Sequence, residues 1–143
     1  MRDRPALVLG LVAALVAVLA IVAAVVAGTR EHPALDAGTP DGVVQLYVVA
    51  LHDGDDATAV QYLDPALGCT DPLPERYLAG TARIGVAATT VTGDRATVDL
   101  RIEEGAGLDT WSHRETFTLR RDGETWLITG HPWPIYECER WVD

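Results

Sequence analysis

Lysine and asparagine are absent from the chain, and serine occurs once, as Ser112 within Thr110-Trp111-Ser112-His113. Without lysine, no Schiff base can form on a side-chain amine. Ser112 also lacks the Gly-x-Ser-x-Gly setting of a hydrolase elbow, so nothing supports a serine nucleophile. Cationic residues are scarce: 11 arginines face 21 acidic residues, for a net charge of -10. Setting aside Arg2, Asp3 and Arg4, which together carry +1, leaves -11 on the remainder. That excess repels phosphate and argues against both nucleic-acid binding and adhesion to anionic lipid headgroups. It fits a solvated acidic surface that keeps a domain soluble. The four histidines are scattered, without the spacing of a ligand pair on a helix, so neither a metal nor another cofactor is expected. The missing residue types and the richness in Ala, Val, Gly and Arg match the bias of a high-GC bacterial genome.

One long apolar run is present. From Ala6 to Ala27 no side chain is charged or strongly polar, and about 20 such residues cross a hydrocarbon core as a helix. The rest of the chain is one small domain long, too little to bury an all-round apolar helix and still build its own core. The rival is a secretory signal peptide, with Arg2 and Arg4 as its basic start and cleavage after Ala27. The apolar part of a signal peptide is usually about 7–15 residues, shorter than this one, which favours an uncleaved anchor. No cysteine follows the run, so a lipoprotein anchor is excluded. Basic residues before a span are retained in the cytoplasm. The expected organisation is a cytoplasmic tail over 1–5, a span over 6–27, a spacer over 28–38 and an extracytoplasmic domain over 39–143 lying close to the membrane. Gly10 and Ala14, or Ala20 and Ala24, have the spacing for close helix packing, but so Ala-rich a helix produces such pairs by chance.

The two cysteines, Cys69 and Cys138, then lie where disulfides persist. A bridge between them is expected; a metal pair or a free nucleophile remains open but lacks histidine spacing or an adjacent base.

After the spacer, Thr39-Pro40-Asp41 reads as a helix start, with a hydroxyl cap, proline in the first turn and an acid at the positive end of the dipole. This helix runs to about Asp53, and its body, Val43 to Leu51, has only Gln45 as a polar interruption, so most of its circumference should be covered. Asp55 and Asp56 cap a shorter helix with Ala59, Tyr62 and Leu63 on one face, closed by Asp64-Pro65. A loop from Gly68 to Pro74 carries Cys69, and a short helical piece fits Glu75 to Leu78. After Gly80 the periodicity becomes alternating. Strands are expected over 83–91, 95–103, 111–121 and 125–130, with Gly93-Asp94 and Asp122-Gly123 as turns. Ala96, Val98, Leu100, Ile102, Phe117 and Leu119 face inward. Helices followed by an antiparallel meander of about four strands make an α+β plan in which a curved sheet wraps a buried helix. The expected core includes Val44, Tyr47, Leu51, Tyr62, Val98, Leu100, Phe117 and Trp126.

Thr39-Pro40-Asp41-Gly42-Val43-Val44, followed by Tyr47, Ala50-Leu51, Asp53-Gly54-Asp55, Ala59 and Tyr62-Leu63, resembles the opening of NTF2-like (cystatin-like) domains. Gly123-Glu124-Thr125-Trp126-Leu127-Ile128 is similar to their closing strand. The resemblance covers about residues 39 to 137, and its motifs mostly encode packing. It implies either a membrane-tethered accessory protein of an envelope system, such as the Mce-associated proteins, or an isomerase or hydratase with a cone-shaped pocket. No motif here maps onto a known catalytic set of those enzymes.

Two groups of residues qualify as sites. The register that sends Phe117 and Leu119 inward places Glu115, His113 and Trp111 on the same face. A carboxylate two residues from an imidazole suits general acid–base work in a partly open pocket; alternatively both groups are solvated beyond the edge of the core. The second group is the C-terminal aromatic set Trp133, Tyr136 and Trp141, near Cys138. It forms either an exposed contact patch or a cover over the sheet and the disulfide. Glu103-Glu104 is no dyad, because adjacent strand residues face opposite ways. The expected role is binding or assembly without catalysis, with the membrane, a membrane or envelope protein and a small apolar ligand as partners. The alternative is an isomerase or hydratase using His113 and Glu115.

Overall fold

The computed structural model describes residues 4–28, 35–76, 78 and 80–138. They form an N-terminal helix and a separate α+β unit that begins at Leu35, within the stretch expected as spacer.

The helix α1, Arg4–Gly28, has no buried residue. At about 1.5 Å per residue it exceeds the roughly 30 Å hydrocarbon thickness of a bilayer, and it is the one candidate membrane span among the described residues.

In the second unit, α2 (Pro40–His52) starts as its sequence dictates. Thr39 Oγ1 accepts the Gly42 amide at 3.2 Å and donates to the Asp36 carbonyl at 3.0 Å. Gly42 is required there, because a Cβ would run into the Asp36 carbonyl oxygen and the Thr39 hydroxyl. A shorter helix, α3 (Asp56–Gln61), is capped by Asp55, whose carboxylate accepts the Thr58 amide. The chain then turns through a 3-10 segment, Pro65–Leu67.

Strands β1 (Arg83–Thr92), β2 (Arg95–Ala106), β3 (Asp109–Asp122) and β4 (Thr125–Thr129) form an antiparallel sheet in sequence order. Two-residue hairpins at Gly93-Asp94, Gly107-Leu108 and Gly123-Glu124 join them. The β2–β3 ribbon is longer than expected, since pairing continues through Glu104↔Trp111 and Gly105↔Thr110 to Ala106↔Asp109. β1 contains a register shift between Val86 and Ala88. Against the free side of β4, Tyr62 to Asp64 form a parallel bridge: the Ile128 amide donates to the Tyr62 carbonyl and the Asp64 amide to the Ile128 carbonyl, each at 2.8 Å.

The core lies between α2 and the inner face of the sheet. Val43, Val44, Tyr47 and Leu51 meet Val98, Leu100, Ile102, Phe117, Leu119, Trp126 and Ile128, all buried. Tyr62 is only half-buried, because at the bridge to β4 it is its neighbour Leu63 that turns into the core. No helix forms at Glu75, Arg76 or Leu78. Pro74 favours an extended Leu73, whose buried side chain and amide, donated to Asp56 Oδ2 at 3.0 Å, tie the segment to α3. Arg76 adds an ion pair with the same carboxylate. α2 is also less covered than expected, because Val49 and His52 are exposed and Gln45 only half-buried.

Candidate functional site

The β3 register sends Trp111, His113 and Glu115 to the inner face, past the end of the α2 contact. There they are not simply solvated. The side chains of His113 and Glu115 are 28 % and 24 % exposed, with His113 Nε2 3.7 Å from Glu115 Oε1. Their cover is the segment after β4. Its buried residues Pro132, Trp133 and Ile135 lie in a turn closed by the Ile135 and Tyr136 amides, both donating to the Pro132 carbonyl at 2.9 Å. Tyr136 takes a left-handed conformation, φ 62°, and His131 Nδ1 lies 3.0 Å from its carbonyl. The Tyr136 hydroxyl donates to Glu115 Oε1 at 3.1 Å.

Thus the two groups singled out separately in the sequence, His113 and Glu115 with Trp111 on one side and Trp133 with Tyr136 on the other, form one cluster. Trp111 stacks on the His113 imidazole (5.0 Å, 19°), and Trp133 meets it edge-on (6.2 Å, 64°). Trp133 is therefore part of the cover and not of an exposed patch; Trp111 and Tyr136 keep substantial exposure. Trp141 lies outside the described residues. Burial first, and then the hydrogen bond and negative charge of Glu115, push the Tyr136 hydroxyl above its ordinary range.

As acid–base machinery the cluster is poorly arranged. The 3.7 Å separation is too long for a shared proton, Glu115 is held by Tyr136, and His113 Nδ1 is buried without a hydrogen-bond partner among the described residues. The effect of the arrangement is to pin the C-terminal segment to β3. Beyond the pin, Cys69 and Cys138 form a disulfide with Cα atoms 4.9 Å apart. Among the described residues no group of His, Cys, Asp and Glu has metal-site geometry.

An apolar cleft opens elsewhere, between α2 and the edge strand β1. Gln45, Val48, Val49 and His52 line one wall, and Ile84, Val86 and Ala82 the other, around about 440 Å³. Its lining is mostly apolar with two polar groups, Gln45 and His52, the composition of a small-molecule pocket. His113 and Glu115 are not among its residues. The sequence pattern hides this wall, because a helix with one polar interruption reads as covered nearly all round. The available signal is the spacing Gln45, Val49, His52, one stripe along the helix.

No protein-family model matches the chain, and no curated protein matches it significantly. Among solved structures, the solution structure of a SEC-C motif containing protein from Rhodopseudomonas palustris is similar at 19 % identity, covering 73 % of this chain and 81 % of that one, with a TM-score of 0.46. A likeness of that size carries no argument about function.

Proposed function

We propose that this chain is a membrane-tethered, extracytoplasmic NTF2-like module that binds a small apolar ligand in the cleft between α2 and β1. The observation that carries this reading is the uncovered α2 stripe. A helix with so few polar residues leaves Val49 46 % exposed, and the face that holds it looks into an open apolar recess of about 440 Å³. An apolar guest would bury that surface, while Gln45 and His52 offer it an amide and an imidazole for orientation. Support for the NTF2-like assignment is the helix lying on a four-stranded antiparallel meander. Support for the tether and its orientation is α1 together with Arg2 and Arg4 before it, and the Cys69–Cys138 bridge fits an oxidising compartment. A tether keeps the domain among membrane partners and raises its effective concentration there.

Catalysis by His113 and Glu115 is the weaker reading, because the two groups lie under Trp133 and Tyr136 and away from the cleft. An assembly role through an exposed Trp133 patch loses its surface for the same reason. Native mass spectrometry of the full chain, extracted from its own membranes in a releasable detergent, tests the proposal. A small-molecule adduct should be retained by the wild type and by Glu115→Gln, and lost in Val49→Trp, which fills the cleft. An adduct indifferent to Val49→Trp, or none at all, would overturn it.

A further inference from the structure

The outer face of the sheet holds a second, chemically different recess. Arg101 and Arg114 are direct cross-strand partners on β2 and β3, and Arg83 on β1 pairs with Glu103 one step along the same face. These three arginines and Glu103 line one shallow recess of about 490 Å³, bordered by Ala87 at the register shift of β1. Gly85, the partner of Arg101, leaves the β1 side of the recess without a side chain.

Like charges directly opposite each other destabilise a sheet, so the arrangement needs compensation. Elsewhere on this face compensation is present. Arg95 opposes Arg120, but Arg120 pairs with Asp64 and Asp122. Thr116 donates to Asp99 at 2.7 Å, and Thr118 and Thr129 pair with each other. In the recess three guanidiniums meet a single carboxylate, Glu103, which accepts Arg101 Nε at 3.1 Å. Arg83 and Arg114 have no ion pair among the described residues. The lining thus carries about +2, lowered to about +1 by Asp99 two residues from Arg101 on the same face, on a chain whose net charge is -10.

We propose that Arg83, Arg101 and Arg114 form a binding site for a phosphate group. Guanidinium forks match phosphate oxygens in pairs, and a phosphate anion offsets the local excess. The net charge of the chain, -10, argues against anionic partners in general; this recess is the local exception, and it fits one phosphate group, either free or presented as a phospholipid headgroup. The site stands independently of the apolar cleft, since it occupies the opposite face of β1.

The test uses the full chain labelled with 15N-arginine and follows the Nε–H resonances at constant ionic strength. One arm titrates inorganic phosphate into protein in non-ionic micelles; the other compares nanodiscs of phosphatidylcholine with and without phosphatidylglycerol. Saturable shifts of Arg83, Arg101 and Arg114, with Arg95 unmoved, are expected. A response in micelles identifies free phosphate as a ligand, and a response only to phosphatidylglycerol identifies the headgroup. Arg114→Gln should weaken binding about tenfold, and Arg95→Gln should leave it unchanged. If Arg114→Gln disturbs the fold, Arg83→Gln on the edge strand replaces it. No saturable response in either arm, or equal loss in Arg95→Gln, overturns the site.

Discussion

Tyr47 is the residue whose chemistry and position disagree most. Its ring packs edge-on against Phe117 at 6.2 Å, yet its hydroxyl is buried without a hydrogen-bond partner among the described residues. Burial raises the hydroxyl pKa, with Arg76 opposing and Asp56 reinforcing the shift. An unsatisfied buried hydroxyl costs about 1–3 kcal/mol, so Tyr47→Phe should stabilise the domain by about 1 kcal/mol, read as a higher urea midpoint. The unfolded phenol titrates near 10 and the folded one above it, so the native state loses stability as pH rises beyond about 10; Tyr47→Phe should soften that loss. Asp64 works in the other direction. The Arg120 hydrogen bond first, then the Ala66 amide, hold its carboxyl below the usual range. Its contribution is complete above the unfolded value near 3.9 and is lost as pH falls through the lower folded value. The thermal midpoint should therefore drop on acidification below about pH 4, and Asp64→Asn should flatten that drop; an unchanged slope would exclude the pair as its source. Alternation in the sequence places Phe117, His113 and Glu115 on the correct face. It cannot show what covers the latter two, because Trp133 and Tyr136 reach β3 only through the turn at Pro132, a contact between distant parts of the chain.

At the level of elements, the signals that prove readable are local ones. Thr39, Pro40 and Gly54 bound α2, and the hairpins at Gly93 and Gly123 join their strands where expected, whereas the one at Gly107 is not expected from the sequence. The absence of helix at Glu75, Arg76 and Leu78 and the longer β2–β3 ribbon are not legible in the sequence, because each depends on a partner. Leu73 and Arg76 are recruited by Asp56, and the ribbon extends because two strands supply each other's hydrogen bonds. The same dependence applies to the C-terminal segment, whose described residues 131–138 have no helix or strand of their own. Its attachment is the Cys69–Cys138 bridge across 69 residues. A closed loop of that length stabilises by about 4 kcal/mol on the chain-entropy estimate. Cys69→Ser with Cys138→Ser should lower the unfolding free energy by roughly that amount, and equilibrium denaturation of the two proteins measures it. Indole fluorescence should report the segment's release, since Trp133 leaves its buried position.

For the whole molecule, α1 and the α+β unit make separate predictions. A phosphatase fused after Asp143 should be active outside the cytoplasm, and a reporter that works only in the cytoplasm should be silent; the reverse pattern would invert the proposed topology. Within the α+β unit, the two sides of the sheet are finished differently. β4 is closed by the Leu63 bridge, whereas β1 has β2 on one side and, among the described residues, no further strand on the other. From Ala87 to Thr92 the free strand is exposed and rich in threonine, a good template for another chain. A lysine guard is impossible in this composition. The displaced register at Val86 and Ala88 bends the strand where that run begins, so the unbroken row of edge amides open to a neighbouring chain is only about half the strand long.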